Sequence, residues 1–464
     1  MSDFLFNEFE PSSAAAWKQK IQVDLKGADY NDTLLWHSRE GITVKPFYFA
    51  GETESFAPET KNKAYEVCQE IYISDEKTAN FLANDALQRG ATSILFKSKG
   101  VFVIEDVLKD IPVQTKIQFQ LQFIDVDFYK KLIDAAANYV LYLNLDVVYQ
   151  LATSGNWFAS ETEDFKNVAT ILEYAKGKNV FVLGVNAELY QNSGATTMQQ
   201  IAYALAQGTE YLEKFGAEIA NNIQFNFAVG SNYFFEIAKI RAFKNLWNSI
   251  LAEYNTTVEN IEVFVTPSLR NKTLYDYNVN MLRTTTECMS AILGGATTVS
   301  NIAYDTIFHK KNEFGERISR NQLLILKEES YFENAQNFAD GAYYIESLTE
   351  QLMEKALYIF KQIEESGGFI KQLFKGNVQR KIAESAFKEQ ADFDNGSEIL
   401  LGTNKFPNPK DFMSEDLELY PFLKSNKNKT VITPIIRKRL SQKMEKERLE
   451  AEKVNANSKE EANG

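Results

Sequence analysis

Short β-rich runs alternate with longer amphipathic stretches from residue 78 to residue 365, an alternation that predicts parallel βα units. The strand candidates are Ser93–Phe96, Ile117–Phe123, Tyr139–Leu145, Val180–Val185, Ile223–Phe227, Ile261–Thr266, Thr297–Ala303 and Ala342–Ile345. Helices are predicted between them. One is marked by the stripe Leu274, Tyr277, Met281, Cys288 and Ile292, at spacings near three and four. Eight strands with intervening helices fit a (β/α)8 barrel, a TIM barrel, with its domain at 51–365. An open doubly wound sheet has the same element order, because a count of strands does not show closure.

Two strands alternate strictly: Ile117-Gln118-Phe119-Gln120-Leu121-Gln122-Phe123 and Ile223-Gln224-Phe225-Asn226-Phe227. Parallel strands covered on both faces usually read as continuous apolar runs. Here one face of each is amide-rich. These amides either fill the barrel interior and bond to one another or line a polar cavity.

The flanks follow other patterns. Residues 1–50 carry Trp17 and Trp36 in a segment with no sustained period, which predicts an arm that buries its rings on its own domain or on a partner. Residues 366–425, with Gly367-Gly368, Gly376, Gly396 and Phe406-Pro407-Asn408-Pro409, read as a helical extension followed by a loop. Charge dominates 426–464, where sparse Leu440, Met444 and Leu449 suggest a solvated or docking helix. The last residues of this tail read as disordered.

Composition narrows the class. The chain has 464 residues, 44% hydrophobic and 24% charged, enough for a sizeable core. A net charge of -13 sets up a field that repels phosphate backbones and anionic membranes. No apolar run approaches the roughly 20 residues that span a bilayer, and Met1 to Pro11 lack the pattern of an export signal. Cys68 and Cys288 are too few for a disulfide framework or a zinc cluster, and fit reduced thiols in a cytoplasmic protein.

Several chemistries are excluded. There is no G-x-x-x-x-G-K-[ST] loop and no G-x-G-x-x-G after a strand. With only His37 and His309, neither H-E-x-x-H nor a Ser-His-Asp set is readily built. His309 lies beyond a strand end, where a barrel keeps functional groups, but reads equally as an exposed loop residue. Asp125, Asp146 and Asp305, near strand ends, could do acid–base work or cap the helices that follow.

A family emerges from ordered motifs. They are Thr266-Pro267-Ser268-Leu269-Arg270-Asn271-Lys272-Thr273-Leu274-Tyr275-Asp276, Asn280-Met281-Leu282-Arg283-Thr284-Thr285-Thr286-Glu287, Gly294-Gly295-Ala296, and Glu316-Arg317-Ile318-Ser319-Arg320-Asn321-Gln322 with Lys327-Glu328-Glu329-Ser330. Gly341-Ala342-Tyr343-Tyr344-Ile345-Glu346-Ser347-Leu348-Thr349 and Glu236-Ile237-Ala238-Lys239-Ile240-Arg241-Ala242 complete the set. Together they resemble the adenosylcobalamin-dependent methylmalonyl-CoA mutases over residues 15–410. Asp24-Leu25-Lys26-Gly27, Glu40-Gly41 and Pro46-Phe47-Tyr48 resemble the start of that family's small, non-catalytic subunits.

Departures sharpen the resemblance. Catalytic subunits of the family carry G-Y-H-M-Q-E-A-G-A-T, whose histidine contacts the substrate thioester. The matching stretch from Ala187 to Thr196 has Leu189 there, and leucine donates no hydrogen bond to a thioester oxygen. They also carry R-P-W-T-x-R-Q-Y-A-G-F. The stretch Tyr65 to Ser74 lacks those arginines, and Glu70 replaces the tyrosine, where it would repel a carboxylated substrate. Family cobalamin domains hold cobalt through D-x-H-x-x-G. Ile307 and Asn312 around His309, and Leu35 and Glu40 around His37, break that motif. The resemblance thus implies no catalytic, cofactor or metal residue in this chain and no cobalamin domain. It implies a heterodimer with a large catalytic subunit that holds adenosylcobalamin and is gripped by the arm. Two alternatives remain: a catalytic mutase barrel served by a cobalamin domain on a separate chain, and a barrel enzyme for an unrelated substrate.

Overall fold

The computed structural model describes residues 8–10, 12–49, 64–334, 338–423 and 428–463. The expected arm–barrel boundary at 50/51 lies outside the described residues. Eight parallel strands close into a barrel: β1 Glu66–Tyr72, β2 Ser93–Ser98, β3 Lys116–Leu121, β4 Val140–Leu145, β5 Val180–Asn186, β6 Ile223–Val229, β7 Glu262–Pro267 and β8 Thr298–Val299. Closure comes from β8, which pairs with β7 on one side and with β1 on the other, through Thr298 opposite Phe264 and Glu66. The open-sheet alternative is thereby excluded.

Two strand assignments change. Ala342–Ile345 is not a strand but the start of the helix Tyr343–Glu365, whose buried Ile345, Leu348, Leu352, Ala356 and Ile363 recur at helical spacing. A four-residue window could not reveal that period. The eighth strand is instead β1, whose alternate residues Glu66, Cys68 and Glu70 gave its sequence no apolar run. Val67 and Ile71, on the opposite face, pack into the main core.

Side chains on one face of each strand pack against the surrounding helices, among them Ile94, Phe96, Phe119, Leu143, Phe225, Phe227 and Val265. The other faces meet inside the barrel. Cys68, Leu95 and Phe264 form a small apolar plug, separate from the main core. Beside it runs a ladder of amides. Gln118 donates to Ser93 at 3.4 Å, Asn226 to Asn144 at 3.1 Å and to Asn186 at 2.8 Å, and Gln120 to Asn186 at 3.2 Å. Bonds from β3 to β5 and from β6 to β4 cross the barrel, so they must pass through its interior. The amides Gln118, Gln120, Asn144, Asn186 and Asn226 therefore turn into the barrel and bond to one another, while Gln224 is buried there with no partner for its side chain and Gln122 is exposed. Asn144 has φ 44° at a bulge in β4, and its backbone lies close to Gly184.

The arm splits in two. Its helix Ala14–Asp24 buries no residue, and Trp17 meets Phe47 edge-on at 6.0 Å. Its hairpin, Trp36–His37 with Thr43–Val44, is anchored on the barrel domain. Ile42 is fully buried, Trp36 packs edge-on to Phe235, and the Glu40 carboxylate accepts from Thr197 N at 2.8 Å and Met198 N at 3.2 Å. An anion there suits the exposed amides and positive dipole at the start of the helix Thr197–Phe215.

Part of the charged C-terminal region packs on the rest of the chain. An extended segment crosses the C-terminal ends of the strands, where Ile432 N and Ile435 N donate to Gly155 O and Ala152 O, Lys438 N to Asn192 O and Leu440 N to Arg270 O. Gly155, at φ 79°, ends the helix Val147–Ser154, and any β-carbon there would lie 2.7 Å from Ile432 O. The helix Gln442–Asn463 follows. Its Glu445 accepts from Leu274 N at 2.7 Å, Glu452 accepts from Met413 N at 3.0 Å, and Leu449 is buried. Glu445 thus ties the helix to the barrel and Glu452 ties it to the preceding loop, while Lys443, Lys446, Glu447 and Glu450 are exposed. Among the described residues, no helix is long and apolar enough to cross a membrane.

Candidate functional site

Barrel enzymes build their sites from the loops at the C-terminal ends of the strands, so the side chains at that mouth decide what this chain can do. Asp146, directly after β4, is 5% exposed and surrounded entirely by donors. It accepts from Tyr149 N at 2.9 Å, Asn186 N at 2.8 Å, Asn186 Nδ2 at 3.0 Å, Gln207 Nε2 at 2.8 Å and Tyr211 OH at 2.6 Å. Burial raises its pKa, and the bonds from Tyr211, Tyr149 and Asn186 pull it back. With every lone pair occupied, it caps a helix and ties β4 to β5. It has no capacity left for a substrate proton.

Asp125 likewise accepts from Phe128 N at 3.0 Å, as the N-cap of the helix Val126–Ala135. Asp305 takes His309 Nδ1 at 3.1 Å and Asn312 Nδ2 at 2.7 Å, and Asp416 lies 3.3 Å from His309 Nε2. His309 is therefore no free loop residue. It clasps the segment after β8 to the C-terminal loop, where Glu418 N and Leu419 N also bond Phe308 O. With both ring nitrogens engaged it does not fit a cobalt ligand. His37 pairs with Thr43 Oγ1 at 3.0 Å in the arm hairpin.

The clasp titrates. Burial disfavours the charged ring, yet the bonds with Asp305 and Asp416 outweigh it and hold the pKa above the ordinary 6.5. A raised folded-state pKa contributes stability that is fully present below 6.5 and fades as pH climbs through the folded value. Wild type should therefore exceed His309→Gln by up to about 1 kcal/mol at acidic pH, with the gap closing in alkali. Urea unfolding of both proteins across that range checks this; a pH-independent gap contradicts it.

Leu189 is fully buried in the short helix Glu188–Asn192 after β5, within the main core. Its neighbour Glu188 accepts from Arg437 of the crossing segment at 2.8 Å, and Tyr149 bonds both. Glu70 faces the mouth beside Lys97 at 2.6 Å and Lys311 at 3.4 Å. Burial opposes its charge, but the two ammonium groups outweigh that and lower its pKa to about 2. The repulsion expected from Glu70 is accordingly offset, since two cations flank one anion. Neither lysine stood out in the sequence. Lys97 lies near a strand end and Lys311 in a loop after β8, and they meet at Glu70 only because β1 pairs with β2 on one side and with β8 on the other. Both cysteines are free and buried, and burial pushes the Cys68 thiol up to about 12, which disfavours the reactive thiolate.

The motif residues form scaffold contacts. Lys239 pairs with Glu236 and donates to Ala228 O at 2.7 Å, and Arg241 bonds Glu346 at 2.7 Å and Asp340. Lys272 donates to Glu287 and Asn271, Arg320 to Gln69 at 2.9 Å, and Gln322 to Thr285 at 2.6 Å. Each links a strand end or helix to its neighbour around the barrel. Among the described residues, no group of three or more His, Cys, Asp or Glu is placed to hold a metal ion.

Comparison with known proteins agrees with this scaffold. The chain is 35% identical over 445 residues to the methylmalonyl-CoA mutase small subunit of Porphyromonas gingivalis, covering 87% of this chain and 71% of that one. It is 28% identical to a methylmalonyl-CoA mutase of Cereibacter sphaeroides, over 87% of this chain and 66% of the relative. It is 25% identical to the human mitochondrial methylmalonyl-CoA mutase, and spans only 62% of that protein's length. The profile described as methylmalonyl-CoA mutase matches residues 142–460. On these matches and the closed barrel, the chain belongs to the methylmalonyl-CoA mutase family of isomerases.

Proposed function

We propose that this chain is the non-catalytic, structural subunit of a heterodimeric methylmalonyl-CoA mutase. The partner, a large catalytic subunit, holds adenosylcobalamin and interconverts methylmalonyl-CoA and succinyl-CoA. This chain stabilises that partner by binding its folded form. The observation that carries the reading is Leu189, fully buried where the family resemblance places a histidine that contacts substrate. Amides bonded to one another across the barrel interior support it too, because their side chains occupy space along the axis.

The exposed arm helix supports a partner. An 11-residue helix that buries nothing is marginal alone in water, where about 12–15 residues are needed even for favourable sequences. Docking on a second chain would give Trp17 and Val23, 54% and 71% exposed, an apolar surface to cover. A cytoplasmic location belongs to the same proposal, in keeping with two reduced thiols.

Co-expression with the large subunit is expected to give a 1:1 complex with cobalamin-dependent mutase activity, while this chain alone turns over no substrate. Recovery of a monomer that ignores the large subunit would overturn the proposal. Turnover on mixing this chain with a free cobalamin-domain protein would instead favour a split catalytic mutase.

A further inference from the structure

A cavity of about 260 Å³ lies at the barrel mouth, between the loops after β5, β7 and β8 and the C-terminal segment. Its walls include Arg270, Arg437, Lys438 and Arg439, together with Thr306 and Tyr420, and no Asp or Glu lines it. That is notable in a chain of net charge -13. We propose that this cavity binds a phosphate group, free or carried on a small metabolite. The inference does not depend on the subunit reading.

Simple fastening explains part of the cationic lining. Arg437 is held by Glu188, Arg270 by Glu389 and by Lys438 O at 2.7 Å, and Arg439 by Lys272 O at 3.0 Å and Glu445. These bonds attach the crossing segment to the barrel, and their carboxylates stand outside the cavity lining. The remaining donors have no such partner and are open to solvent or a ligand. Among the described residues, the side chains of Lys438, Thr306 and Gln442 have no hydrogen bond or ion pair, yet all three line the cavity. An ammonium, a hydroxyl and an amide around a space free of carboxylates suit a tetrahedral oxyanion, whose oxygens accept from each.

Location and volume agree. The loops after the seventh and eighth strands are a recurrent phosphate site in barrels of this type. A water takes about 30 Å³ in the liquid, so the space holds several, enough for a phosphate and a further small group. Leu269, Ile307 and Phe422 supply an apolar wall for that group. Because residues 420–423 and 437–442 form one side of the cavity and barrel loops the other, a bound phosphate would also brace the C-terminal segment.

The test uses the full chain alone, titrated with inorganic pyrophosphate at constant ionic strength and followed by calorimetry and thermal unfolding. Saturable 1:1 binding is expected, with a raised Tm and slower proteolysis between residues 428 and 442. Lys438→Glu changes an exposed side chain, so its fold should survive. It should weaken binding at least about tenfold, as loss of a charge-assisted hydrogen bond implies, and Thr306→Val should weaken it severalfold. Absence of saturable binding, or equal affinity in Lys438→Glu, would overturn the assignment. Either result leaves the proposed pairing with a catalytic chain untouched.

Discussion

Asp146→Ala is expected to lower the unfolding free energy by about 3–5 kcal/mol, because each buried donor left unpaired costs about 1–3 kcal/mol and water can rescue only some of them. The substitution strands Tyr211, Gln207, Asn186 and the amide of Tyr149 around an empty space. Against a total stability of typically 5–15 kcal/mol, that is a large fraction. Asp146→Asn keeps one acceptor oxygen but turns an NH2 group toward other donors, so it should fall between. Asp125→Ala is the useful contrast, because it loses a single half-buried cap worth about 1 kcal/mol. Urea denaturation of the three variants measures the ranking. A loss at Asp146→Ala no larger than at Asp125→Ala would show that the donors around Asp146 find other partners.

The contrast also shows what a sequence can and cannot say. Asp125 and Asp146 look alike in one dimension, each a carboxylate between a strand and a helix. Their difference lies in Gln207 and Tyr211, more than sixty residues further on, which reach Asp146 only when the helix Thr197–Phe215 packs on the barrel. Strand periodicity was legible for β2 to β7, where apolar residues face the helices in regular alternation. It failed for β1, because Glu66 and Glu70 look unlike a strand until Lys116, Lys97 and Lys311 are seen beside them. Leu189 was legible as a departure from the family motif, but its burial was not. For the C-terminal tail the sequence left two readings open, a solvated or a docking helix. Charge alone could not choose between them, because the partners of Arg437, Arg439, Glu445 and Glu452 lie in distant parts of the chain.

That last pattern bears on the family signature. Several charged residues of the family motifs, among them Glu236, Lys239, Arg241, Lys272, Glu287 and Glu346, sit in ion pairs of the scaffold, so a barrel can keep them while its mouth changes chemistry. Lys272 and Glu287 are the clearest instance, 2% and 0% exposed at their side chains. The three ammonium protons of Lys272 meet Asn271 Oδ1 at 2.7 Å and the two Glu287 oxygens at 2.9 and 2.8 Å. The geometry satisfies both ions.

Glu287→Leu should therefore cost about 3–5 kcal/mol, because it leaves a buried ammonium without its counter-ion. Lys272→Met should cost a similar amount by orphaning the carboxylate. The double variant removes both charges and refills the volume with apolar groups, which in other proteins is neutral or stabilising by about 1–4 kcal/mol. Here recovery should stop short, since Asn271 Nδ2 also donates to Glu287 at 2.7 Å and would keep only Ser231. A net loss of about 1 kcal/mol is expected for the double variant. A double-mutant cycle by urea unfolding then gives a coupling of several kcal/mol between the two positions. Additive losses would mean that the two ions do not sense each other, and that the pair is not what fastens the segment after β7 to the helix Val279–Leu293.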